Sequence, residues 1–393
     1  MNKLILNPEV QAYILNNIQE DISRILLGKN IFSGISSKEI VEQIEGKRRS
    51  EKKLPKWYLT PNIYYPPKIS IEQASSEATA KYKSQLISGL NVVDLTGGFG
   101  VDSYYFSKIA THVTHCEYNK ALSEIAKHNS NIFDTKNISF VNENSLQYLK
   151  NSLEVFDTIY VDPSRRVNTK KVFMLKDCEP DIVTNLDLLL SKAARIIVKT
   201  SPLLDIQSGL NELKNVKEIH IISLKNDCKE LLWIIERDFT GEPEIFCSEI
   251  FGAHIQQYHF KPHEEKHFNL EEFSMPLEFI YEPNVALLKA GCFKLITRDF
   301  NILKLHQHSH LYTSNILNSE FIGRKFKLVK MWGYREFINE KPKLKANIIC
   351  RNFPLPVEKV RIKHRIVDGG DEYLLFTTGP NNQLLVLLCN RLE

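Results

Sequence analysis

Asn91-Val92-Val93-Asp94-Leu95-Thr96-Gly97-Gly98-Phe99-Gly100-Val101-Asp102 is the stretch from which the rest of the chain can be read. Two β-branched residues, Val92 and Val93, lead to an acid, Asp94. Three glycines follow (Gly97, Gly98, Gly100), and residues 101–110 can be helical. The pattern is that of a strand, a tight turn and a helix start. Glycines in such a turn permit positive φ and let the backbone approach a ligand closely. The helix start offers free N–H groups to an anionic group.

Downstream, strands and helices alternate. Strands are expected at residues 92–95, 112–117, 138–142, 158–161 and 195–199. Helices are expected between them at 101–110, 120–131, 145–150 and 181–192, and a further one at 206–213. Two more strands, 218–224 and 231–236, are separated by too few residues for a helix. Alternation of this kind gives a parallel doubly wound sheet, and the short last connection brings the final strand in antiparallel. The expected fold is α/β, with a seven-stranded Rossmann-like sheet.

Ligands of open parallel sheets bind beyond the carboxyl ends of the strands. That places Asp94–Gly100, Glu117, residues 142–145, residues 162–166 and Lys199 on one rim. Glu117 ends the second strand, 23 residues after Asp94. An acid at that spacing can accept both hydroxyls of a ribose, whether of a dinucleotide or of S-adenosylmethionine.

The flanks are less regular. Residues 1–45 show helical spacing, and Ser36 with Glu39 reads as a capping box. Lys47-Arg48-Arg49-Ser50-Glu51-Lys52-Lys53, followed by Trp57 and Tyr58, suits a nucleic-acid strand or a solvated linker. Prolines at 61, 66 and 67 suggest that 61–75 is an extended linker. Residues 240–280 read as a loop with short strands. Three strands are expected in the C-terminal part, at 357–367, 373–377 and 384–388. In the first of these, Lys359, Arg361, Lys363 and Arg365 alternate with apolar residues, which puts four cations on one strand face. Like charges so placed call for a polyanionic partner, such as the phosphates of an RNA. Residues 324–393 carry 14 Lys/Arg against 7 Asp/Glu, a net +7 within a chain of net +4.

Composition bounds the class. Apolar content of 43% and charged content of 25% are those of a soluble globular chain. No run approaches the length of a membrane span, and the N-terminus has no signal-peptide apolar region, so a cytoplasmic protein is expected. Seven scattered cysteines, without a Cys-x-x-Cys pair, argue against a disulfide framework or a zinc knuckle. His306, His308 and His310 lack the further ligands that zinc would need, and no metal is expected.

Asp94-Leu-Thr-Gly-Gly-Phe-Gly100 resembles the glycine-rich motif of class I S-adenosylmethionine-dependent methyltransferases, with Thr96 replacing the first glycine. More closely, the chain resembles a bacterial group of these enzymes with a C-terminal THUMP-like domain. The matching pieces are Glu72-Gln-Ala-Ser-Ser-Glu77, Asp162-Pro-Ser-Arg-Arg166, Lys199-Thr-Ser-Pro-Leu-Leu-Asp205, Cys228-Lys-Glu-Leu231 and Arg351-Asn-Phe-Pro354. The resemblance implies four parts: a helical segment and linker over 1–75, the methyltransferase domain over 76–240, a connecting region with a small ferredoxin-like domain over 241–323, and a THUMP-like RNA-binding domain over 324–393. It implies S-adenosyl-L-methionine as cofactor, contacted by Asp94, Thr96, Gly97, Gly98 and Gly100, with Glu117 on the ribose and Asn144 or Ser145 near the adenine.

In that family the acceptor group lies at the fourth strand, which here ends in Asp162-Pro163. Base-amine enzymes carry an aromatic after the prolines of this motif, where Arg165 and Arg166 stand instead. RNA 5-methyluridine enzymes carry a cysteine after the fifth strand, where this chain reads Lys199-Thr200-Ser201-Pro202. Cys228 is the nearest remaining thiol and reads as a core residue. Arg165 and Arg166 can grip phosphate or pair with Glu179 or Asp181, and Lys199 can orient Asp162 or phosphate. The function expected is therefore methylation of a base in RNA (tRNA or rRNA). Two alternatives remain open: a non-catalytic RNA-binding protein, and an oxidoreductase with a nicotinamide dinucleotide on the same turn.

Overall fold

A computed structural model describes all residues except 29, 165, 168, 169, 172, 173, 253, 271, 341–344 and 393. The chain divides into two compact units. The first comprises Met1–Lys217 with Leu232–Gly241, and the second Glu218–Leu231 with Glu242–Glu393.

The first unit opens with helices α1 (Pro8–Asn16), α2 (Ile22–Leu27), α3 (Ser37–Lys53), α4 (Pro55–Leu59), α5 (Lys68–Gln73) and α6 (Glu77–Ser84). The capping box at Ser36 and Glu39 forms as the sequence indicates. The helix it starts runs on to Lys53 and absorbs the basic run expected as a linker. Arg48 spends its guanidinium on the carbonyls of Asn17, Ile18 and Glu20, and Trp57 is 1% exposed. Residues 61–75 are not a free linker either. Ile63, Tyr64, Tyr65 and Ile71 are buried, because the apolar residues between the prolines pack into the core of the helical segment. That core includes Phe99 of the glycine turn, so the helical segment buttresses the turn from behind.

The strands then follow: β1 (Asn91–Asp94), β2 (His112–Cys116), β3 (Ile138–Val141), β4 (Phe156–Val161) and β5 (Ala193–Thr200). Helices α7 (Val101–Phe106), α8 (Lys120–Ile132), α9 (Ser145–Asn151), α10 (Leu186–Lys192) and α11 (Ile206–Glu212) accompany them. The order is β3-β2-β1-β4-β5, all parallel. Next to β5 lies β7 (Asp227–Glu236), the partner of β6 (Val216–Leu224) in a hairpin. Lys225 and Asn226 turn that hairpin with φ of 55° and 56°, the left-handed pair that a tight two-residue connection requires. The inserted antiparallel strand expected from the short connection is therefore present.

In the second unit, β8 (Glu244–Phe251) runs parallel to residues 218–224 of β6, and β9 (His254–Phe260) returns antiparallel to β8. Sequence reading missed their length because β9 alternates exposed and half-buried residues with no apolar face to mark it. After α12 (Pro262–His267), a second sheet of seven strands forms: β10 (Phe279–Pro283), β11 (Leu303–Lys304), β12 (Tyr312–Ser314), β13 (Gly323–Gly333), β14 (Asn347–Arg351), β15 (Glu372–Thr378) and β16 (Leu384–Leu392). Their order is β11-β12-β10-β13-β16-β15-β14, with helices α13 (Val285–Ala290), α14 (Leu295–Asp299), α15 (Tyr334–Glu340) and α16 (Val357–His364). Neighbouring residues along β15 and β16 enter different clusters: Leu375 and Leu387 one, Leu374 and Val386 the other. Alternation thus buries both faces of this sheet.

Segment 357–367, expected as a strand, is helix α16 followed by a left-handed Arg365 at φ 54°. Pro354 and Pro356 interrupt strand pairing before it, and Pro356 starts the helix. Only Val360 of the helix is buried and Ile362 is 78% exposed, so the apolar alternation marked no buried strand face.

Candidate active site

The glycine turn is shaped from below by β2. Gly97 donates its N–H to the carbonyl of Cys116 at 2.8 Å, and a Cβ on Gly97 would lie 2.4 Å from the His115 ring. Gly100 starts α7 with φ 82°, where a side chain would be strained. A Cβ on Gly98 would meet nothing closer than 3.6 Å, so the outer side of the turn is open. His115 is fully buried. Burial holds its imidazole in the neutral form, down to about 4.

Both acids of the motif are engaged. Asp94 is 1% exposed and accepts from the Thr96 N–H at 3.0 Å and the Ser103 hydroxyl at 2.6 Å. Burial pushes its carboxyl up to about 7, against the pull of Ser103. Glu117 lies at the open edge. Its Oε2 accepts from the Gly98 N–H at 2.9 Å and its Oε1 from the Asn119 N–H at 2.7 Å. Beside it Tyr118 presents a ring that is 79% exposed. Thr96, which replaces the first glycine of the motif, accepts the backbone N–H of Asp162 at 2.8 Å through its hydroxyl. The turn is thereby bound to the end of β4.

At that end Asp162 pairs with Lys199 of β5. The next residue on each strand, Pro163 and Thr200, lines an apolar pocket with Met174, Leu175, Leu203 and Leu204. Behind the pair lies a buried network. Lys83 of α6, with no exposed surface, reaches Asp102 at 2.9 Å. Ser75 and Tyr160 donate to the other oxygen of Asp102 at 2.7 and 3.2 Å. Burial alone would raise the Asp102 carboxyl, but the ammonium groups of Lys83 and Lys199 outweigh it and hold it below its usual range.

The whole chain superposes on the crystal structure of a Porphyromonas gingivalis W83 protein provisionally named a methyltransferase. The two share 31% identity and a TM-score of 0.88, over 100% of this chain and 99% of that one. The chain belongs to this methyltransferase family. Within it, residues 279–321 match a ferredoxin-like domain family and residues 323–391 a THUMP domain-like family. An "Uncharacterized RNA methyltransferase MMOB5020" of Mycoplasma mobile is 38% identical over 76 residues. An "Uncharacterized RNA methyltransferase" of Thermotoga maritima is 33% identical over 105 residues. The chain spans only 21% and 24% of the length of these two curated relatives.

In this chain, Asp94, Thr96, Gly97, Gly98, Gly100, Glu117, Asp162, Pro163 and Lys199 all meet at the carboxyl ends of β1, β2, β4 and β5. Asn144 and Ser145 start α9, and the Asn144 side chain is used as its N-cap, accepting from Gln147 at 3.0 Å. Asn142 is the residue that ties the end of β3 to this rim, donating to the carbonyls of Glu117 and Tyr118 at 2.7 and 3.0 Å. Arg165 lies outside the described residues; Arg166 belongs to a two-residue strand paired with Lys170–Lys171.

The cations of α16 do not form one row. Lys359 and Lys363 share a helix face one turn apart, Arg361 pairs with Asp368 at 2.5 Å, and Lys363 donates to the Tyr334 hydroxyl at 3.1 Å. His306 bonds Asn382 and Asn352, and His310 stacks on Phe293, so the imidazoles serve local packing. All seven cysteines are free thiols, and burial raises that of Cys228 to about 11. No helix among the described residues is long and apolar enough to cross a membrane.

Sequence reading missed Lys83, Asp102, Ser103 and His115. The signals were faint. Lys83 falls on the same helical face as Thr79 and Ala80, where an apolar residue would be expected, and an acid such as Asp102 in the first turn of a helix ordinarily serves only the helix dipole.

Proposed function

We propose that this chain is an S-adenosylmethionine-dependent methyltransferase that modifies a base in RNA. The observation that carries the reading is the clamp between the Gly98 N–H and Glu117. It sets a carboxylate with spare lone pairs at the open edge of a glycine-rich turn, whose Thr96 hydroxyl binds the residue that starts the Asp162–Lys199 pair. A ribose needs such a carboxylate, and a thioether chain laid along a turn needs such glycines. The residues present therefore fit the cofactor. Asp94 and Thr96 shape the turn from below and do not reach for the ligand themselves. The exposed Tyr118 ring is placed to stack on the adenine, with Asn144 and Ser145 nearby.

When bound, the cofactor supplies an electrophilic methyl group. The chain's part is alignment and proton handling. Asp162, oriented by Lys199 and by the Thr96 hydroxyl bond at its N–H, accepts a hydrogen bond from the acceptor. Pro163 and the apolar pocket beyond it take the flat face of the base. Arg165 and Arg166, which follow in the sequence, are proposed phosphate contacts. The RNA assignment is supported by the THUMP-like segment, by the +7 charge of residues 324–393 and by the names of the two partial relatives. Lys359, Arg361, Lys363 and Arg365 are its proposed phosphate contacts, from a helix.

Two measurements test this. Calorimetry with S-adenosylhomocysteine should show binding by the wild type and weak binding by Glu117→Ala. Mass spectrometry of nucleosides, in RNA from cells with and without the gene, should reveal one modified base that depends on it. Absence of both results would leave a non-catalytic protein.

A further inference from the structure

Three carboxylates and two ammonium groups meet on one face of the sheet within the first unit. Asp94 stands opposite Tyr160 in the parallel register of β1 and β4, and Val161 opposite Val198 in that of β4 and β5. Register and period-two alternation put Asp94, Tyr160, Asp162 and Lys199 on the same side. Lys83 from α6 and Asp102 from α7 join the group there.

The charges do not balance. Lys83 serves Asp102, and Lys199 serves Asp162. Among the described residues Asp94 has only neutral donors, Thr96 and Ser103. The other ionisable groups around it are the like charges of Asp102 and Asp162, each with its own lysine, the buried thiol of Cys116, and His115, its register partner on β2, which burial keeps neutral. A carboxylate that is 1% exposed, unpaired and flanked by two others holds a proton unless a cation is brought to it.

We infer that Asp94 senses the charge of the cofactor: a cation held on the Asp94–Gly100 turn supplies the missing positive charge, and Asp94 releases its proton to solvent. The inference rests on the reading that this turn holds S-adenosylmethionine. Its titration near neutral pH, about 7, makes the release measurable. S-adenosylmethionine carries a sulfonium, whereas S-adenosylhomocysteine has the same shape and a neutral sulfur. Once the methyl group has left, the third positive charge is gone, Asp94 takes a proton back, and the turn holds the product less tightly than the donor. The buried acid then acts as a positioning residue that favours exchange of spent cofactor for fresh.

Calorimetry of the full chain at pH 7, in phosphate and in Tris, counts protons released through the heats of buffer ionisation. With half of Asp94 protonated at pH 7, S-adenosylmethionine should release up to about half a proton more than S-adenosylhomocysteine. Its affinity relative to the product should rise severalfold from pH 6 to pH 8. Asp94→Asn should abolish both differences, whatever affinity it keeps for the two ligands. If Asp94→Asn does not fold, Ser103→Ala removes a donor to the carboxylate and should move the pH midpoint upward. Equal proton counts for the two ligands in the wild type would overturn the inference and leave the cofactor assignment standing. Failure of the wild type to bind either ligand would overturn both.

Discussion

Gly98 donates its backbone N–H to Glu117 Oε2 at 2.9 Å, which joins the crest of the glycine turn to the end of the neighbouring strand. The same carboxylate takes the Asn119 N–H on its other oxygen. Glu117 therefore has a structural duty before any ligand arrives. Glu117→Ala removes both bonds and should destabilise the free protein by about 1.5–3 kcal/mol, the net range for hydrogen bonding to a charged group. Cofactor affinity should fall at least tenfold. Glu117→Gln keeps one acceptor oxygen and should fall between the two. Thermal melts and calorimetry with S-adenosylhomocysteine separate the effects; unchanged affinity in Glu117→Ala would remove Glu117 from the ribose site.

Gly97 and His115 form a steric couple. A methyl group at residue 97 would enter the imidazole plane at 2.4 Å, and neither the ring nor the strand beneath it has room to retreat, both being buried. Gly97→Ala should cost about 1–3 kcal/mol, the usual range for overpacking a core. His115→Ala creates space at the same place. The double variant should be more stable than the sum of the single changes predicts, by more than about 0.5 kcal/mol. Strict additivity would mean that the clash relaxes elsewhere.

How far the sequence announced these relationships depends on their range. The turn, the acid after β2 and the inserted antiparallel strand all follow from local pattern and connection length, and each is present. Lys83 and Asp102 are 19 positions apart and meet only through packing of α6 on α7, which no periodicity reports. Nor does the Arg351-Asn-Phe-Pro354 motif announce that Arg351 pairs at 2.6 Å with Glu282, an acid that is 1% exposed and also paired with Arg324. Alternation misled at residues 359–365, because a helix of eight residues that buries one side chain leaves the other positions free to carry any pattern.

Lys83 is a heavily committed charge of the first unit. It has no exposed surface, and it donates to Ser75 and Tyr160 as well as pairing with Asp102. Lys83→Met leaves Asp102 buried beside Ser75 and Tyr160 without its counterion, which typically costs about 3–5 kcal/mol. Replacing both partners removes the uncompensated charge, so Lys83→Met with Asp102→Asn should recover more than half of the loss. Urea melts of the two single variants and the double variant measure the coupling. A single-variant cost under about 1 kcal/mol would show that solvent reaches the pair.

Asp94 and His115 should bend the stability of the free protein in opposite directions over one pH range. The Asp94 carboxyl is raised from 3.8 to about 7 by burial, so the native state holds a proton that the unfolded chain has lost. Its contribution is complete below pH 3.8 and declines as pH rises toward 7. The His115 imidazole is lowered from 6.5 to about 4 by burial, so the unfolded chain binds a proton that the native state refuses. Its contribution is complete above pH 6.5 and declines as pH falls toward 4. Between pH 4 and 6.5 each slope reaches at most about 1.4 kcal/mol per pH unit, and the two oppose each other. The wild type should therefore show little net dependence from this pair. Asp94→Asn should make stability rise with pH across the window, and His115→Asn should make it fall. Denaturant melts at half-unit intervals test the signs, and parallel profiles for the wild type and both variants would show that neither group is buried in its unusual protonation state.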